Sequence, residues 1–137
     1  MTTTTVTVAK VRPADTKQAT ELVAKAKANG ELSNRANLAR MAGVLAGVLT
    51  VISTGKAVEI TDLFPATDPT TGKAQGSPAY HLAHRSLSAD LIRPNWHKVT
   101  VVPMLADTVT TDKATITGET STTAKVGRVR VFLAPAN

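Results

Sequence analysis

Alternating apolar and polar positions open the chain and predict a first strand. Within residues 5–12, Val6 and Val8 lie on one face and Thr7 and Ala9 on the other, and Pro13 ends the run. A helix is predicted next, with a cap at Asp15 or Thr16, and Gly30 is the residue that stops it. The first element is therefore a strand, followed by a helix with a narrow apolar stripe.

The second predicted helix is the most apolar part of the chain. It follows an N-cap at Ser33 and ends at Gly55. Its first apolar stripe runs at helical spacing through Leu38, Met41, Leu45, Val48, Leu49 and Ile52. The opposite side is apolar too, and a helix of this kind is either buried on all sides or covered by another chain.

The second of these alternatives, cover by another chain, predicts an oligomer interface on the second helix. Gly43 and Gly47, four residues apart, would let a second backbone approach closely, either within the chain or across a dimer seam. The lone tryptophan adds a further candidate, as an interface anchor or as a plug for a core that has few aromatic residues. The predicted interface residues are Met41, Val44, Leu45, Val48, Val51 and Trp96.

Strand patterns dominate the rest of the chain. Proline and glycine interrupt residues 64–95, which leaves room for a short helix at 77–83 or 88–92, and a turn is expected at 118–121. The predicted strands cover residues 56–62, with Val58 and Ile60 inward, and residues 97–104, 114–117 and 126–133. The predicted class is α+β: a helical hairpin on a small antiparallel sheet, with extra N- and C-terminal strands, in one domain (1–137).

The amino-acid composition excludes several kinds of functional site. The chain has no cysteine, which excludes disulfides, thiolate metal sites and a cysteine nucleophile, and only 3% aromatic residues. Threonine and alanine are abundant, as in simple structural modules. The N-terminus has neither the basic nor the apolar region of a signal peptide, and the apolar run at 41–52 is too short to span a bilayer. We therefore expect a protein that is neither exported nor membrane-embedded.

Catalytic and metal-binding patterns are weak. His81 and His84 are three residues apart, but a zinc site needs further ligands, and solvated or locally hydrogen-bonded histidines are the simpler interpretation. The hydroxyl residues form no nucleophile elbow, the carboxylates are scattered, and residues 68–73 lack the phosphate-loop pattern. We expect no enzyme activity, no cofactor, no metal and no small-molecule substrate.

Residues 16–63 carry a resemblance to a known family. A helical hairpin is followed by a glycine and then by Val58, Ile60 and Leu63, with the spacing Gly-x-x-Val-x-Ile-x-x-Leu. This pattern resembles the HU/IHF histone-like family, although Asp62 and Phe64 stand where that family has glycines. The resemblance implies an HU-like core at 14–105, flanked by strands at 1–13 and 106–137, with the strand at 97–104 returning beside the one at 56–62.

The family's DNA-binding arms are rich in arginine and lysine and tipped by proline, and they enter the minor groove. Pro69 is the corresponding proline here, but the segment from Thr61 to Asn95 is formally neutral. The net charge of +6 lies mainly in residues 1–40, with seven cations and three anions. The residues expected on phosphates, if DNA is bound, are Lys10, Arg12, Arg35, Arg40, Lys73, Arg85 and Arg93.

Two functions from different classes follow. The first is a structural subunit of a phage particle, such as a ring, collar, connector or capsid-decorating protein, because HU/IHF-like folds are known among virion ring proteins. Its partners would be further copies and other particle subunits, with weak non-specific DNA attraction at most. The second is a histone-like DNA-binding dimer in the cytoplasm or nucleoid.

Overall fold

A computed structural model describes residues 3–32, 37–64, 92–110, 115–120 and 129–136. These described residues form two α-helices, five strands and two 3₁₀ turns. In order they are β1 (Thr3–Thr7), α1 (Pro13–Ala28), α2 (Leu38–Thr54), β2 (Val58–Glu59), η1 (Thr61–Leu63), η2 (Arg93–Lys98), β3 (Val99–Thr110), β4 (Thr115–Thr120) and β5 (Val129–Pro135). The predicted α+β class with strands at both termini is confirmed.

Helix α1 begins earlier than the sequence pattern predicts, with its N-cap three residues before Asp15. Pro13 occupies its first turn, where the missing N–H costs nothing and the fixed φ suits the helix, and Arg12 is the N-cap residue. At the other end the amide of Gly30 donates to Lys27 O (3.1 Å) and the amide of Glu31 to Ala26 O (3.0 Å). This Schellman arrangement, with Gly30 at φ +73°, ends the helix where the sequence predicts.

Helix α2 starts later than predicted. Its N-cap is Asn37, whose side-chain oxygen accepts a hydrogen bond from the amide of Arg40 (3.0 Å), so Ser33 is not the cap. Ser33 itself lies outside the described residues. Gly55 ends the helix as predicted, with φ +70° and its amide bonded to Val51 O (2.9 Å).

The five strands form one antiparallel sheet in the order β1-β4-β3-β5-β2. Its two edge strands meet through a parallel bridge between Val8 and Ala57, where the amide of Ala9 donates to Ala57 O (2.8 Å) and that of Ala57 to Thr7 O (2.9 Å). The sheet therefore curls until its edges join, which makes a small barrel. Strand β3 runs through both halves, with an irregularity between Ala106 and Thr108.

Two apolar clusters lie on opposite faces of this sheet. Val131 and Leu133 of β5 pack with α2 in the larger cluster, beneath the helices. Phe132 lies between them and points to the opposite face of the sheet, into a second cluster inside the curled sheet. Val131, Phe132 and Leu133 are all fully buried. The second cluster consists of Val6, Ala57, Met104, Ile116 and Phe132.

Four predictions for the sheet need correction. The strand predicted at 5–12 is β1, which starts at Thr3 and ends at Thr7. The strand predicted at 56–62 is only two residues long, because the chain enters η1 at Thr61, although Val58 and Ile60 are buried as predicted. The turn predicted at 118–121 is strand β4 as far as Thr120. Strand β3 does not return beside β2, because β5 lies between them. The helices predicted at 77–83 and 88–92 lie outside the described residues, apart from Ile92.

Candidate interaction surface

An open apolar groove separates α1 from η1, and the N-terminal half of α2 forms its floor. Its volume is about 620 Å³. Helix α1 contributes Thr16, Thr20, Val23 and Ala24 to one wall, and the opposite wall holds Ile60, Asp62 and Leu63. The floor residues are Leu38, Ala39, Ala42, Gly43 and Ala46. This size and lining are typical of sites that bury a large apolar group.

Small residues on α2 create the groove. Without a side chain, Gly43 admits Leu63 so closely that an added Cβ would stand 2.7 Å from Leu63 Cδ2. The Arg40 Nε–H donates to Leu63 O (2.9 Å), and its guanidinium lies 5.0 Å from the centre of the Phe64 ring. These contacts hold the η1 wall against α2, while the alanines of the floor leave the space beside it open.

The lining of the groove carries two acidic side chains, in a chain of net charge +6. Among the described residues that line it, the charged ones are Glu59 and Asp62, and neither is a cation. Glu59 is neutralised by Arg130, whose Nη2 and Nε lie 2.6 Å and 2.9 Å from its oxygens. These bonds, and one from Thr61 (2.8 Å), keep the pKa of Glu59 below its usual value despite its partial burial. Asp62 is exposed and supplies the groove's remaining negative charge.

Most of the predicted oligomer interface is core. Val44, Leu45, Val48 and Val51 are at most 2% exposed and pack inside the protomer, so the interface prediction is corrected at these four positions. The sequence pattern does not decide whether the same chain or another chain covers α2, and in the structure the sheet of the same chain covers it. Met41 is half-buried on α2. Trp96 lies in η2, and its side chain falls outside the described part of the structure.

The two glycines of α2 pack within the chain. Gly43 faces Leu63, and an added Cβ at Gly47 would meet Leu133 Cδ1 at 3.2 Å. Of the two interpretations of this pair, close packing inside the protomer is therefore the one observed.

The residues predicted to meet DNA are used in different ways. Arg12 is bound to Asp15, with Nε 2.6 Å from Oδ2 and Nη2 2.9 Å from Oδ1, and it also donates to Ser53 (2.9 Å). Arg40 is engaged with Leu63 and Phe64, as described above. Lys10 and Arg93 are exposed, and the other three predicted contacts, Arg35, Lys73 and Arg85, lie outside the described residues.

No family model, curated protein or solved structure matches this chain. The described residues hold no group of three or more histidine, cysteine or acidic side chains that could bind a metal, and His81 and His84 are not among them. In the same part of the chain neither helix has the length and apolar character that crossing a bilayer requires.

The sequence pattern missed the groove itself. Its walls depend on η1, which interrupts a stretch that alternates like a strand. The available signal was the set of small residues on one side of α2, Ala39, Ala42, Gly43 and Ala46, at spacings of three, one and three. Such spacing places them on one helical face that is low enough for a neighbour to approach.

Proposed function

We propose that this chain is a non-enzymatic assembly subunit, and that it serves as a virion component of a phage: a ring, collar, connector or capsid-decorating protein. The single observation that supports assembly is the open groove with its apolar walls and the exposed Asp62 among its lining residues. An apolar groove of this size left in water is an unfavourable surface, and contiguous exposed apolar patches on soluble proteins mark binding sites.

The resemblance to the HU/IHF family supports the virion part of the proposal, since ring proteins with that fold are known in phage particles. The charges support assembly over DNA binding. Two of the cations expected on phosphates, Arg12 and Arg40, form hydrogen bonds inside the protomer, which would have to break or be shared before these side chains met DNA.

The test is sedimentation velocity on the purified protein across a hundredfold concentration range, with and without a duplex DNA of mixed sequence at physiological salt. We expect species heavier than the 14.3 kDa protomer without DNA. DNA should leave their sedimentation unchanged. A protomer or dimer that binds the duplex below micromolar concentration, with a salt slope of several units, would support the HU/IHF-type function instead.

A further inference from the structure

The floor of the groove is lined mainly by small residues, so the space above it is open. Three of its five floor residues are alanines, Ala39, Ala42 and Ala46, and one is a glycine. A partner that fills such a floor must supply a large apolar side chain, because packed interfaces reach the density of protein interiors. The exposed large apolar residues of the described chain are Leu22, Leu38 and Ile52.

Leu22 is on the side of α1 away from the groove. Thr20 and Ala24 line the groove, and a step of two residues turns an α-helix by roughly 200°, so Leu22 points to the opposite flank. It is 37% exposed there. Lys25, three residues further on and therefore a neighbour on the same face, is also exposed.

We propose that a second copy of this chain occupies the groove, with its Leu22 on the alanine floor and its Lys25 beside Asp62. This inference rests on the proposed assembly function and names the partner at the groove. Charge complementarity favours it, because the exposed Asp62 of the groove lining meets a lysine in this arrangement.

The contact joins two different surfaces, so it is heterologous. After one contact has formed, the copy that inserted its Leu22 still has a free groove, and the copy that received it still has a free Leu22. Repetition of such a contact closes into a ring when the rotation allows and otherwise makes a filament. A head-to-tail contact of this kind is the geometry that a ring or collar subunit needs.

Paired variants test the proposal. Leu22→Lys removes the inserted side chain and leaves the groove, whereas Ala42→Leu fills the groove and leaves Leu22. Each variant alone should sediment as a protomer, and an equimolar mixture should form a dimer that grows no further, because only one productive contact is possible. Ile52→Lys and Ala28→Leu, at exposed positions that do not line the groove, are the matched controls and should assemble like the wild type.

Charge exchange gives a second readout. Lys25→Asp and Asp62→Lys should each weaken assembly by about tenfold in apparent dissociation constant, and the double variant should recover most of that loss. Circular dichroism and thermal unfolding check that each variant is folded. If Ala42→Leu is unfolded, Ala39→Lys at an exposed floor position replaces it.

The outcomes separate this inference from the proposed function. If the wild type assembles while Leu22→Lys and the groove variants assemble equally well, the Leu22 contact is wrong and the assembly function stands. If the variants lose assembly but their mixture does not form a dimer, the contact is not heterologous and the proposal is overturned. A wild type that stays a protomer at every concentration overturns both.

Discussion

Asp15 and Thr50 are the buried polar residues of the described chain. Asp15 is 4% exposed in the first turn of α1, and its two oxygens accept bonds from Arg12 and from the hydroxyl of Thr50 (2.8 Å). Thr50, fully buried on α2, accepts in turn from the amide of Arg12 (3.2 Å). The start of α1 is thereby fixed to the C-terminal half of α2, which also sets the spacing of the groove walls.

Removing the Thr50 hydroxyl should weaken this connection. Thr50→Val keeps the side-chain volume but leaves the carboxylate of Asp15 and the amide of Arg12 each one partner short. We expect a loss of about 1–3 kcal/mol in the free energy of unfolding, measured by urea denaturation at pH 7. Thr20→Val is the matched control, because the exposed Thr20 hydroxyl donates to Thr16 O in the same helix. The loss in the free energy of unfolding should be a few tenths of the loss for Thr50→Val. Equal losses in the two variants would contradict the role given to Thr50.

Acid should weaken the same connection. The hydrogen bonds from Arg12, more than those from Thr50, hold the pKa of Asp15 below its ordinary value, although burial acts in the opposite direction. A carboxyl with a lowered pKa in the folded state stabilises the protein above its unfolded pKa, about 3.9, and this stabilisation is lost as the pH falls through the folded value.

Asp15→Asn should therefore be less stable than the wild type at pH 7, and the difference should shrink towards pH 3. Urea denaturation across that range is the measurement. Some acid dependence should persist in the variant, because the pKa of Glu59 is also lowered by its bonds with Arg130. A stability difference that is constant from pH 7 to pH 3 would show that the charge of Asp15 does not contribute.

At the scale of the elements, sequence patterns correctly predict the features that depend on neighbouring residues alone. Both helix ends at Gly30 and Gly55 follow from the need for positive φ, which glycine meets without strain. The starts are less predictable. Asp15 is a better N-cap type than Arg12, which makes no side-chain cap bond, but Asp15 is bound to Thr50 and α1 begins at Pro13.

Long-range pairing explains the other failures. The sequence predicts that α2 is covered on all sides, because apolar residues such as Val44, Leu45, Val48 and Val51 lie all round it. Whether the same chain or another chain covers α2 depends on a sheet that is assembled from distant segments. Thr3 pairs with Glu119, and β5 inserts between β2 and β3. No local pattern encodes these pairings, and none encodes the change from β2 to η1 that builds the wall of the groove.

Gly55 offers a direct test of the helix end. An added Cβ would meet no atom within 4 Å, so the cost of substitution comes from the backbone alone. Gly55→Ala should lower the free energy of unfolding by about 1 kcal/mol, and Gly55→Asn by less, since asparagine tolerates the left-handed region. Thermal unfolding of the two variants checks the order, and an alanine variant as stable as the wild type would contradict it.

At the scale of the whole molecule, the net charge of +6 is a poor guide to function. Much of it lies on α1 and the residues before it, where Arg12 is paired with Asp15, whereas the charged side chains that line the groove are Glu59 and Asp62. The exposed Lys25 and the Asp62 of the groove lie on opposite flanks of the hairpin, which suits copies that meet head to tail. The barrel, whose edge strands join at Val8 and Ala57, provides the rigid base for the hairpin.

Native mass spectrometry of the wild-type protein tests the central claim most directly. An assembly subunit should give one dominant species at a whole multiple, three or greater, of the 14.3 kDa protomer mass, and that species should dissociate in the Leu22→Lys variant. A spectrum with the protomer alone, unchanged as the protein concentration rises, would contradict the account.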